Sequence, residues 1–218
     1  MTFGPERWAI EITKVLNLVL GPEHFPIDVI RVAREYTAQR YPGDAITMAH
    51  GANLPGFDGA LFPAPAGKAG WGIIYNNALA SPGRINFTLA HEFGHYLLHR
   101  ADYPNGIRCG EQDVVRWDSA YGQIEYQANR FAATLLMPLD DFRRQIAADA
   151  AVDLDLISHC ADRYRVSLIA YSCHPPLAYL YDASSGFGGI AGRFHSLVAG
   201  QRYGAENSGL LSHFRATD

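Results

Sequence analysis

His91-Glu92-Phe93-Gly94-His95 is the segment of this 218-residue chain whose residue types and spacing could do chemistry. On a helix, positions four apart lie on one face a single turn apart, so both imidazoles can reach one metal ion. Glu92 would stand about 100° around the helix from His91, flanking such an ion without ligating it. Imidazoles suit zinc, which lowers the pKa of a water to about 7, and a neighbouring carboxylate can take that water's proton as it attacks a carbonyl. The reaction these parts describe is hydrolysis of a peptide bond. A shuffled chain with nine His and eight Glu would contain His-Glu-x-x-His with a chance of roughly 0.013, so coincidence explains the pattern poorly.

A third ligand must come from elsewhere. The metzincin pattern needs Gly at position 98 and His at position 101, where this chain has Leu98 and Ala101. His99 stands one turn beyond His95, about 6 Å further along the axis of a straight helix. It reads better as helping to end the helix, near the negative end of the dipole. Glu125, heading Glu125-Tyr126-Gln127-Ala128-Asn129, is a candidate, with Asn129 one turn later to hydrogen-bond a ligand histidine's second nitrogen. Glu111, Asp113 and Asp118 compete with it on spacing. The plain alternative for Glu125 is a solvated glutamate in a helix's first turn.

These residues need elements to hold them. Apolar residues at helical spacing predict helices over Pro5–Leu20, from Pro26 to about Pro42, from Arg84 to Arg100, and over Gln123–Leu136. Pro138 can open a further helix towards Ala150, and shorter ones are expected at Asp153–Tyr164 and Leu168–Cys173. Strand-like runs fall at Ala45–Ala49, Gly59–Phe62 and Trp71–Tyr75, and residues 101–122 read as irregular. The expectation is an α+β fold with a small, mostly antiparallel sheet beside the two motif helices and further helices towards the C-terminus. Residues 1–174 would form one domain, and 175–218 an extension whose structure the pattern does not give.

Composition narrows the function classes. With 22 acidic and 18 basic residues, the net charge is −4, which does not suit a dedicated nucleic-acid or anionic-membrane binder. No leader pattern and no long apolar run is present, and three cysteines make no disulfide framework. A cytoplasmic protein is expected. Asp153–Cys173 could be read as a helix-turn-helix, but a helix pair packed on the core fits better without Lys. Cys160, Cys173 and His174 lack close metal-ligand spacing, and Cys109 could at most offer a redox-sensitive thiol. Tyr121, Tyr126 and His99 are the candidates for stabilising an oxyanion.

Phe87-Thr88-Leu89-Ala90-His91-Glu92-Phe93-Gly94-His95-Tyr96-Leu97-Leu98-His99 and Glu125–Pro138 together resemble the ImmA/IrrE family of zinc metallopeptidases. Phe57-Asp58-Gly59-Ala60 and Arg163–Ser167 extend the likeness to about residues 25–173. The resemblance implies a zincin-type site: His91, His95 and Glu125 as ligands to one Zn²⁺ per chain, with Glu92 as the base. It also implies an endopeptidase of narrow specificity whose protein substrate is a helix-turn-helix transcriptional repressor, in a bacterial stress or mobile-element response. The alternative is a metal-binding regulator that relieves a repressor by binding it without cutting. Many relatives carry an acidic residue where this chain has Gln127. Substrate selection is expected at a strand edge near Trp71–Tyr75, where an extended peptide could pair.

Overall fold

The computed structural model describes residues 3–79, 81–109, 120–146 and 154–167. Ten elements follow one another in these residues: α1 (Pro5–Leu20), α2 (Val29–Arg40), β1 (Ile46–Ala52), β2 (Gly59–Pro63), β3 (Trp71–Asn76), α3 (Pro82–His99), β4 (Ile107–Cys109), α4 (Ala120–Leu136), α5 (Leu139–Gln145) and α6 (Leu154–Tyr164). The architecture is α+β, as expected. Competing ligands Glu111, Asp113 and Asp118, residues Cys173 and His174, the predicted helix at 168–173 and the whole of 175–218 lie outside the described residues.

Helix starts follow local chemistry. Ser81 caps α3 by accepting from the Arg84 N–H, with Pro82 in the first turn, so the helix begins two residues before its apolar pattern does. At α2 the reverse holds. Asp28 accepts from the Arg31 N–H and sets the start at Val29, leaving Pro26 in the preceding loop. Pro138 is the N-cap of α5, which stops at Gln145.

The sheet runs in the order β1-β3-β2-β4. β2 pairs antiparallel with both β3 and β4, while β1 pairs parallel with β3. This places β3 between two partners, so Trp71–Tyr75 has no free edge and cannot take an added peptide strand. The edges belong to β1 and β4. β4 falls in the stretch read as irregular; three residues are too short to show a period of two.

Helix α3 lies on β2 and β3 with one side and on α4 with the other, and α4 packs in turn on α1. Ile46, Leu61 and Ile73 from the sheet meet Phe93 and Leu97 of α3, and Phe93 sets its ring edge-on to Phe131 of α4, 5.4 Å between centroids. Gly94 is what lets the two motif helices come so close. A Cβ there would lie 2.9 Å from the Phe131 ring and 3.3 Å from the Ala128 backbone. Every residue from Thr88 to Leu97 is buried. Polar side chains in that run therefore have to find partners within the protein.

Candidate metal centre

His91 and His95, one turn apart on α3, point at Glu125 on α4. The His91 Nε2 lies 3.2 Å from Glu125 Oε2, the His95 Nε2 lies 3.2 Å from Oε1, and the two Nε2 atoms are 2.9 Å apart. All three residues are buried, and among the described residues they form the cluster with metal-ligand geometry. Zn–N and Zn–O bonds of about 2.0–2.1 Å in a tetrahedron put ligand atoms about 3.3 Å apart. The spacing found here is close to that. Two imidazoles and one carboxylate are also a donor set that zinc takes with a fourth position kept for water or substrate. The residues fit the ion.

The outer nitrogens of both histidines are held. Asn129 Oδ1 lies 2.9 Å from His91 Nδ1, the arrangement its position one turn after Glu125 suggested. An amide oxygen only accepts, so His91 carries its hydrogen on Nδ1 and turns Nε2 towards the cluster. His95 Nδ1 meets His99 Nδ1 at 3.0 Å, and His99 Nε2 meets Gln127 Oε1 at 2.9 Å. His99 is 4% exposed. Its place at the end of α3 is as expected, and its two ring nitrogens are engaged by His95 and Gln127.

The charges follow from burial and from these contacts. Burial pulls the His91 imidazole down, but the hydrogen bond and charge of Glu125, helped by Glu92 and Asn129, outweigh it and the net shift is upward. Burial and the neighbouring His91 push His95 down to about 3. Burial likewise lowers His99, against the opposing bond to Gln127. For Glu125 burial works upward and loses to the two histidines, which hold its carboxyl well below the usual range. Glu125 thus favours a proton on His91, while burial and His91 keep His95 neutral. A metal ion competes with that proton for the same lone pair.

Glu92 is fully buried, on the side of α3 that meets the sheet. β2 comes so near that a Cβ on Gly59 would sit 2.7 Å from Glu92 Oε1 and 2.8 Å from Thr88 Cγ2. Asp58, the residue before, grips Arg84 of α3 through both carboxylate oxygens at 2.8–3.2 Å and fixes this approach. The glycine of Phe57-Asp58-Gly59-Ala60 gives Glu92 the room it needs. The other two proposed oxyanion donors stand on α4. Tyr121 donates to the Arg108 carbonyl of β4, and the Tyr126 hydroxyl accepts from Arg130 at 2.8 Å.

Cys160 is fully buried and forms no disulfide among the described residues. No helix among the described residues is long and apolar enough to cross a membrane. Comparison with curated proteins finds no match. A family model does match: the IrrE N-terminal-like domain (Peptidase_M78), over residues 49–172, more than half of the chain.

Proposed function

Because the chain belongs to the IrrE N-terminal-like peptidase family, we propose that it is a zinc-dependent endopeptidase of narrow specificity, acting in the cytoplasm on a helix-turn-helix transcriptional repressor. The observation that carries the enzymatic part is the convergence of His91, His95 and Glu125 within 4.8 Å, with Glu92 on the same helix. A zinc ion bound there supplies Lewis acidity and makes water a nucleophile near neutral pH. Glu92 takes the proton of the attacking water and passes it to the leaving amine, and its buried, crowded place against Gly59 keeps it aimed. Asn129 and His99 hold the two imidazoles in orientation. The repressor substrate and the setting, a bacterial stress or mobile-element response, rest on the resemblance of Phe87–His99 and Glu125–Pro138 to the family. An extended segment of the substrate would have to pair at β4 or β1, the two edges of the sheet.

The decisive experiment incubates zinc-loaded protein with candidate repressors of its own host and reads fragments by mass spectrometry, with Glu92→Gln as control. One or two cuts in a repressor, absent in the control, and little digestion of casein are the expected results. Indiscriminate casein digestion would overturn the regulatory reading. Release of a repressor without cleavage, equally by wild type and Glu92→Gln, would replace the peptidase with a binding-only regulator.

A further inference from the structure

His99 and Gln127 are buried or half-buried polar residues that the hydrolytic chemistry does not use. The amide of Gln127 sets the direction of their hydrogen bonds. Gln127 Oε1, an acceptor only, lies 2.9 Å from His99 Nε2, so that nitrogen carries a hydrogen. A neutral His99 then has a bare Nδ1, and 3.0 Å away the His95 Nδ1 must donate to it. His95 is left with its lone pair on Nε2, 2.9 Å from His91 Nε2, against the pull of Glu125 Oε1, an acceptor 3.2 Å away that alone would favour a hydrogen there. Were the amide of Gln127 turned over, each donor would become an acceptor in sequence. The hydrogen would end on His95 Nε2, which could then bind no metal.

We propose that Gln127 and His99 form a relay of positioning residues that holds His95 in its Nδ1–H tautomer and so presets its Nε2 for the metal. Helix α4 thereby acts on the centre three times: Glu125 directly, Asn129 through His91, and Gln127 through His99 and His95. A carboxylate at position 127 would set the same direction, since it too can only accept. The amide does so without adding charge beside the site. The inference rests on the reading of His91, His95 and Glu125 as the metal site, but its first readout needs no metal.

Metal-free protein labelled with ¹⁵N-histidine should show, in long-range proton–nitrogen correlation spectra, His95 as the Nδ1–H form and His99 as the Nε2–H form. Zinc affinity, measured by competition with a chromophoric chelator, supplies the second readout. His99→Leu should lose about 10- to 100-fold in affinity, while His99→Asn, which keeps an acceptor where Nδ1 was, should stay within about threefold of wild type. Gln127→Met should mix the His95 tautomers and cost about 3- to 10-fold, whereas Gln127→Glu should keep both tautomer and affinity. If His99→Leu fails to fold, the Gln127 pair at its half-buried position decides alone. An Nε2–H form of His95 in wild type, or a Gln127→Met protein with wild-type tautomer and affinity, would overturn the relay. Wild type that takes up no zinc yet shows the expected tautomers would instead overturn the peptidase reading.

Discussion

Asp141 of α5 and Glu125 of α4 are both carboxylates buried among polar partners, 2% and 4% exposed. Around Asp141, Oδ1 accepts from Arg144 at 2.9 Å and Arg163 at 3.0 Å, while Oδ2 accepts from Arg163 and the Tyr164 hydroxyl, both at 2.9 Å. Those bonds use the roughly four lone-pair directions a carboxylate has. Arg163 also reaches Glu23, so two guanidiniums face two carboxylates and the charges cancel. Around Glu125 the neighbours are two imidazoles whose Nε2 atoms face the same point, a set in which a cation could take the place of a proton. Burial and ionisable chemistry are common to both regions. What separates a fastening from a candidate active site is whether the partners are permanent cations, as at Asp141, or imidazoles that can exchange a proton for a metal ion.

The contrast can be tested from its strongest consequence downward. Glu92→Gln should cut peptide hydrolysis by about 10²- to 10⁴-fold, the usual worth of a general base, with zinc content and urea midpoint unchanged. Zinc at about a thousand times its Kd should stabilise wild type by about 4 kcal/mol, an increment that calorimetry should find missing in His91→Ala. Asp141→Asn should do the opposite: a loss of about 3 kcal/mol in urea unfolding, near the low end for a broken buried pair because Arg144 is half exposed, with the zinc increment intact. If Asp141→Asn lost zinc as well, the two regions would not be separate.

Acid should expose the same fastening. Burial alone would raise the Asp141 carboxyl, but the bonds from Arg163 and Tyr164, with the charge of Arg163 and the bond from Arg144, outweigh it and hold it below the ordinary 3.8. A lowered carboxyl contributes stability that is whole above the unfolded value and is lost as pH falls through the folded one. The stability gap between wild type and Asp141→Asn should therefore be constant near neutral pH and close below pH 3.8. The smallest effect is expected at Gly59. Gly59→Ala should displace Glu92 and lower turnover about tenfold while zinc affinity holds, because the added methyl meets the base and not the ligands.

The parts of this design that sequence makes visible are those with a strong local period. The His91 and His95 pair, the burial of α3 and α4, and Asn129 one turn after Glu125 all follow from helical spacing. Gln127 is two residues from Glu125, off the face that spacing brings to the site, and its role depends on where His99 ends up. Gly59 is legible only once β2 is laid against α3. The parallel pairing of β1 with β3 depends on a non-local choice of partner, and no alternation within either strand records it. Asp141 reads as a first-turn helix acid; its burial is decided by Arg163, 22 residues away.

His95 and Glu125 stand about thirty residues apart in the chain, so an ion that grips both ties a ring of that length. The entropy of closing such a ring grows only with the logarithm of its size, about 0.6 kcal/mol for each doubling. A change of a few residues in that ring would thus cost the centre little in entropy, provided that β4 keeps its pairing with β2.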